Sequence, residues 1–249
     1  MSYCPERIVQ GKSIVELPKL PQLVSGKSKT AIIESGKLFK TICKKIIFTE
    51  ILEAELVKLF SNAYRYINFS ISNQFYMICQ NQNLNFFKIR DIMREGYMRN
   101  ANIPESGFTA GPCLLKDTMQ LSSFYNHRFK LGHAAMSVNE GIPEFIIKKL
   151  QKKYDLKKKV VGVLGLTFKA ETDDIRDSLA IKLVKLLKSK KIKTFQSDEF
   201  YNNEKNISKK DLVKKSDIII LATPHKAYKN LKISKNKIVV DIWGLIENK

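Results

Sequence analysis

Between position 50 and about position 82, apolar residues recur mostly at steps of three and four: Leu52, Leu56, Leu59, Phe60, Ala63, Ile67, Ile71, Phe75 and Ile78. This spacing predicts one long amphipathic helix with those residues on its buried stripe. Beside the apolar stripe runs a polar one: Lys58, Asn62, Arg65, Ser72 and Asn73. Lys58 and Asn62 are one helical turn apart and point the same way. Spacing alone leaves that stripe equally a wet face or a functional one.

The 45 residues before this helix show no comparable pattern. Pro5, Gly11, Pro18, Pro21 and Gly26 punctuate them as loop, followed by a helical pattern from Ser28 to Lys45. No opening strand is evident, as if the chain began in mid-fold. A second helical region follows residues 107–121 and ends near 148-KKLQKKYDLKKK-159, a charge run that reads as a domain boundary.

Beyond it the periodicity changes. A β-branched strand closes on glycine in 159-KVVGVLGLTF-168, and a helix follows in 177-DSLAIKLVKLLKSKK-191, capped by Asp177 or Ser178. Then come a strand in 191–198, a helix from Lys209 to Lys215, a buried strand in 217-DIIILATP-224 and a last strand in 237-KIVVDIW-243. Strands alternating with helices predict an α/β domain with a doubly wound parallel sheet. The expected organisation is 1–45, a central helical region 46–155, and a Rossmann-like domain 156–249.

Composition narrows the partners. A net charge of +20 invites a nucleic-acid reading, since basic clusters release counterions from polyphosphates. Lysine greatly outnumbers arginine, however, and no motif interleaves aromatics with the basic residues, so the charge reads as a compositional bias spread over solvated faces, and a small anionic ligand fits it equally well. The apolar runs fall far short of the roughly 20 residues of a membrane helix, and no secretory signal opens the chain. A cytoplasmic protein without a membrane partner is expected. Cys4, Cys43, Cys79 and Cys113 show no metal-ligand spacing and no disulfide framework.

Two stretches carry candidate chemistry. In 107-GFTAGPCLLKDTMQL-121, Cys113 follows a Gly-Pro step, with Lys116 and Asp117 close behind. In 168-FKAETDDIRDS-178, Lys169 and Arg176 follow a strand and precede a helix N-terminus, where backbone N–H groups favour phosphate. Gly162 and Gly165 form only an incomplete dinucleotide fingerprint. His133 reads as a structural histidine, and His127 and His225 have no evident partner.

Six blocks, 5-PERIVQGKSIVEL-17, 55-ELVKLFSNAYRYINFSISNQF-75, 107-GFTAGPCLLKDT-118, 130-KLGHAAMSVNEGIP-143, 162-GVLGLTFKAETDDIRDS-178 and 239-VVDIW-243, together resemble the UDP-glucose/GDP-mannose dehydrogenases, the nucleotide-sugar 6-dehydrogenases. The resemblance implies oxidation of a nucleotide-sugar C6 alcohol to a carboxylate with two NAD and no metal, by a homodimer built on the central helix. It implies that Cys113 is the nucleophile, forming a thiohemiacetal and then a thioester. Lys58 and Asn62 would stabilise the oxyanion at C6, Asp117 would handle protons through a water, and Glu6 would position the hydrolytic water. Phe108, Phe168 and Lys169 would contact the nucleotide-sugar, with Arg99 reaching a ligand in the partner subunit. Arg176 and Gln10 would lie toward the dinucleotide; Gln10 stands where some members carry a carboxylate, and Trp243 where many carry an arginine. The family opens with a G-x-G-x-x-G turn that this sequence lacks. Residues 1–45 are therefore expected to be a remnant of the N-terminal NAD-binding domain, with a separate NAD-binding chain as a further partner. The alternative is a catalytically silent chain that dimerises and holds a nucleotide-sugar.

Overall fold

A computed structural model describes residues 1–109 and 111–246. Ala110, inside the cysteine motif, and 247–249, at the end of the third expected domain, lie outside the described residues. The chain divides into two compact units, Met1–Tyr64 and Arg65–Lys249.

The first unit contains β1 (Ser2–Tyr3), α1 (Ser13–Glu16), β2 (Gln22–Gly26), α2 (Lys29–Lys40), β3 (Ile46–Phe48) and the start of α3 (Ile51–Asn81). The sequence predicts loop for much of this region, and the structure corrects that. Strand β2 sits at the centre of a three-stranded sheet, antiparallel to β1 and parallel to β3. These strands are too short to show a period, and their pairing partners are distant in sequence. Helix α2 begins where predicted, with Ser28 Oγ accepting from the Ala31 N–H at 3.2 Å, but ends at Lys40.

Helix α3 matches the predicted span, but the buried face differs from the predicted stripe at many positions. Ala54, Asn62, Ala63, Tyr66, Ser70, Ser72, Asn73 and Tyr76 are buried. Leu52, Phe60, Ile71, Phe75 and Ile78, predicted to be buried, are exposed. Helical spacing reveals that an apolar stripe exists; which face finds a neighbour depends on the other elements.

The second unit continues through α4 (Phe86–Arg94), α5 (Leu114–Phe124), α6 (Lys130–Lys153), β4 (Val160–Leu164), α7 (Leu179–Ser189), β5 (Lys193–Ser197), α8 (Lys209–Lys215), β6 (Ile218–Leu221) and β7 (Ile238–Asp241). The strands form a parallel sheet in the order β5-β4-β6-β7, as the alternating pattern predicts. Ile218 and Ile220 face one core with Leu183 and Leu187 of α7, while Ile219 and Leu221 face the other with Leu212 of α8. A strand covered on both faces needs an unbroken apolar run, which is what 218–221 supplies. Gly162 lets α8 pack closely on β4, because a Cβ there would strike Leu212. Ser178 caps α7 by accepting from the N–H groups of Ala180 and Ile181; Asp177, the other predicted cap, has φ +52°.

Candidate active site

Because β5 and β6 flank β4 on opposite sides, the chain reverses direction across the sheet at β4, and ligands bind such sheets beyond the carboxyl ends of the strands at that reversal. The segment that leads to Cys113 is anchored at this edge. Ser106 Oγ donates to the Ile242 carbonyl just after β7, at 2.9 Å. The Gly107 N–H donates to Asn73 Oδ1 at 2.8 Å, and Asn73 Nδ2 donates to Asn139 Oδ1 at 2.8 Å. Asn139 Nδ2 completes the chain at the Tyr66 carbonyl, 3.2 Å away, and Ser72 Oγ donates to the Pro104 carbonyl at 2.8 Å. Both asparagines are fully buried, so these bonds satisfy amides that would otherwise be costly inside the protein.

Glycine is required at 107. Its φ is +152°, and a Cβ would collide with the ring of Trp243. That ring is fixed in turn by Nε1 donating to the Ala222 carbonyl at 2.9 Å. Gly111, φ +108°, stands in the same relation to Phe168, whose ring lies 2.5 Å from where a Cβ would be. The two glycines thus let the backbone lie flat on an aromatic from the β7 end and another from the β4 end.

Cys113 is exposed and stands at the N-cap of α5, its carbonyl accepting from the Asp117 N–H at 2.9 Å. The first turn of a helix favours negative charge. Asp117 is buried and its Oδ1 lies 3.4 Å from Lys116 Nζ, whose side chain is largely exposed. Arg176 makes a forked pair with Asp174, with Nη2 to Oδ2 at 2.6 Å and Nε to Oδ1 at 3.1 Å. Its guanidinium is held above the ordinary value first by the Asp174 hydrogen bond and charge, with smaller contributions from Cys113 and Asp177. Phe168 and Lys169 are half-buried, and the Phe168 N–H donates to the Asp174 carbonyl at 3.0 Å. Phe168 is thus set against the cysteine loop at Gly111, two residues before Cys113.

The remaining predicted residues have the following surroundings within their own units. In the first unit, Lys58 Nζ donates to the Glu6 carbonyl at 2.7 Å and lies 4.0 Å from Glu6 Oε2. Asn62 is buried one turn along from Lys58, and Gln10 is exposed. Arg99 is exposed on a short turn, with its guanidinium 5.2 Å from the Tyr97 ring centre. Phe108 is buried in the core around Tyr76 and Ile142. His133 Nε2 lies 2.7 Å from Ser122 Oγ, with the His127 ring 6.4 Å off.

Sequence reasoning missed the buried group formed by His225, Asp198 and Thr167, which contributes one residue from beyond each of β6, β5 and β4. The signal was a polar residue at the end of, or directly after, three of the predicted strands, at the edge where ligands bind. It also missed Trp243 as the surface on which Gly107 rests. A separate cavity of about 380 Å³ lies at the outer edge of β7, lined by Tyr76, Phe87, Phe145 and Lys149 among others, away from Cys113. Among the described residues no helix is long and apolar enough to cross a membrane.

A long helix leading into a cysteine loop held on a parallel α/β sheet is the arrangement of a nucleotide-sugar dehydrogenase fold. Residues 52–141 match the central domain of the UDP-glucose/GDP-mannose dehydrogenase family, and 162–248 match its UDP binding domain. The chain belongs to this family. It is 28% identical to UDP-N-acetyl-D-mannosamine dehydrogenase of Pyrococcus horikoshii, over 99% of this chain and 62% of that protein. It is 30% identical to UDP-glucose 6-dehydrogenase of Rickettsia felis, over 98% of this chain and 57% of that protein. The solved structure of the Pyrococcus horikoshii UDP-D-ManNAc dehydrogenase superposes with a TM-score of 0.89 at 27% identity, covering all of this chain and 62% of that one. The chain thus spans about three fifths of the length of these relatives.

Proposed function

We propose that this chain supplies the nucleophile and the nucleotide-sugar site of a nucleotide-sugar 6-dehydrogenase, acting on a UDP-hexose. The observation that carries the reading is Cys113: an exposed thiol at the start of α5, two residues after the Gly111 that packs on Phe168 from beyond β4. The family's UDP binding domain covers that edge, and the relatives are named for UDP-sugars.

The Cys113 thiolate adds to the C6 carbon of the sugar aldehyde. A C–S bond forms, and the carbonyl π pair moves to oxygen, which takes a proton to give a thiohemiacetal. Lys58 and Asn62 are proposed to stabilise that oxygen while it is charged. Asp117 is proposed to exchange its proton through a water, and Glu6, whose carbonyl holds Lys58, to orient the water that attacks the thioester left once the thiohemiacetal carbon has given up its hydride, breaking the C–S bond to free the carboxylate and the Cys113 thiol. Phe168, Lys169 and Phe108 are proposed to hold the nucleotide-sugar, Phe108 from within the core, and Arg99 to reach a ligand in a second subunit.

Such an oxidation releases two hydrides, for which the family resemblance names NAD as acceptor. The residues of this chain do not by themselves fit a dinucleotide: no two glycines are separated by a single residue, so no G-x-G turn can form, and Arg176 is already paired with Asp174. No step is therefore assigned through NAD, and Gln10 and Arg176 remain its only proposed contacts here. A separately supplied NAD-binding chain is the proposed source of the rest. The same observation favours a second reading, a chain that binds nucleotide-sugar and dimerises without turning over.

Alkylation of Cys113 by iodoacetamide, followed by peptide mass spectrometry, tests the site. UDP-glucose or UDP-N-acetylmannosamine at ten times its Kd is expected to slow labelling about tenfold. Labelling indifferent to both would remove the proposal. NADH formation on adding an NAD-binding partner, lost in Cys113→Ser, separates the enzyme from the silent binder.

A further inference from the structure

We infer that His225 is a positioning residue: a neutral imidazole, protonated at Nε2, that fixes the segment 166–171 beside the cysteine loop. The tautomer follows from the hydrogen bonds. Nδ1 accepts from the Glu171 N–H at 3.1 Å, so it carries no proton. Nε2 then carries the hydrogen, directed at Asp198 Oδ2 at 3.2 Å and Thr167 Oγ1 at 3.3 Å. Thr167 Oγ1 is free to accept because its own proton goes to the Lys169 carbonyl at 2.9 Å.

Everything around the ring is committed to this arrangement. Asp198 Oδ2 also accepts from the N–H groups of Leu166 at 2.5 Å and Thr167 at 3.2 Å, and its Oδ1 accepts from Phe200 and Tyr201. Thr223 Oγ1 donates to the Thr167 carbonyl at 2.6 Å. Glu171 adopts φ +59°, and its Oε1 accepts from the Lys226 N–H at 2.9 Å while lying 3.7 Å from His225 Nδ1. Phe200 stacks on the imidazole at 5.0 Å, and Tyr228 meets it edge-on at 5.4 Å. The ring is fully buried.

A flat side chain with an acceptor on one side and a donor on the other is what this position demands, and the neutral imidazole offers both while stacking on Phe200. An imidazolium would set a second hydrogen against the Glu171 N–H. By joining the loops after β4, β5 and β6, His225 holds Phe168 where its ring receives Gly111, two residues before Cys113. This consequence for Cys113 rests on the reading of that thiol as nucleophile, whereas the clamp itself does not.

The test uses the whole chain. In uniformly 15N-labelled wild-type protein, the long-range 15N–1H spectrum of His225 is expected to show the neutral Nε2–H form at pH 7; the Nδ1–H form or an imidazolium would overturn the inference. In His225→Leu, hydrogen exchange in the peptide covering 166–177 should accelerate about tenfold relative to peptides of α7. The rate of Cys113 alkylation relative to Cys4 should change about threefold or more on the same loss of order. His225→Asn, which keeps an acceptor for the Glu171 N–H, should recover part of both, and it serves as the primary variant should His225→Leu not fold. Exchange and alkylation ratios unchanged in His225→Asn as well as His225→Leu would sink the clamp. Altered exchange in a protein whose wild-type Cys113 is not protected by UDP-sugar would uphold the clamp and remove the proposed reaction instead.

Discussion

Along α3, the covered face joins small and polar residues to the buried rings of Tyr66 and Tyr76, whereas many of the large aliphatic side chains stand on the exposed one. Ala54, Ala63, Ser70, Ser72 and Asn73 are buried; Val57, Phe60, Tyr64, Ile71, Phe75 and Ile78 are exposed. The covered face gains from close approach and from hydrogen bonds to named partners, the Pro104 carbonyl, Asn139 and the Gly107 N–H. Val57, Tyr64, Ile71 and Ile78 recur every seventh residue, the repeat with which two helices form a shared seam. An apolar row of this kind on a single chain marks an interaction surface, and it supports the proposed homodimer. One face of the helix therefore serves the cysteine loop, and the other is proposed to serve a second copy of the chain.

The most damaging change should be on the covered face. Asn73→Leu strips the Gly107 N–H of its acceptor and leaves Asn139 without its donor, and is expected to cost about 3 kcal/mol in urea unfolding while mobilising the cysteine loop. A loss under about 0.5 kcal/mol, the size of an ordinary surface change, would show that the buried amides are not what holds the loop. On the exposed face, Ile71→Asp with Ile78→Asp should weaken self-association about a hundredfold in sedimentation velocity, through unpaired charge in an apolar seam. The monomer's own melting should barely move. Unchanged association would assign the stripe to some other partner.

Away from α3, acid should probe the loops beyond the sheet. Burial pushes the Asp198 carboxyl up, but hydrogen bonds from His225 and from the Leu166, Phe200 and Tyr201 N–H groups outweigh it, bringing the value down to about 2. An unfolded aspartate titrates near 4, so its folded value is the lower of the two. Its contribution to stability is present above about pH 4 and is lost as pH falls through about 2. Asp198→Asn should be less stable at neutral pH and should lose part of the wild-type slope between those values, read by chemical denaturation at stepped pH. The smallest effect belongs to Ser178→Ala, which removes the cap of α7 and should cost about 1 kcal/mol.

Much of the candidate site was legible as sequence, but not its assembly. Cys113, Lys169 and Arg176 stood out because a thiol after Gly-Pro and a basic loop after a strand are unusual company, whereas the packing of Phe168 on Gly111 of the cysteine loop appears only in the structure. Lys58 and Asn62 were visible as a turn-spaced pair, and Glu6 joins Lys58 through a backbone carbonyl, an atom every residue possesses and no pattern distinguishes. His225 looked partnerless because its partners, Asp198, Thr167 and Glu171, lie 27 to 58 residues away. Phe108 and Phe168 read alike as aromatics in motifs, yet one is core and the other half-exposed.

The order of strands and helices after residue 159, the span of α3, the Ser28 and Ser178 caps and the presence of an apolar stripe were all set by local chemistry, because periods and caps act within a few residues. Which face of α3 is covered, how Gly107 and Gly111 lie on Trp243 and Phe168, and which tautomer His225 takes were decided only in three dimensions. Burial and hydrogen-bond satisfaction depend on groups far apart in the chain, and no spacing along it encodes where they meet.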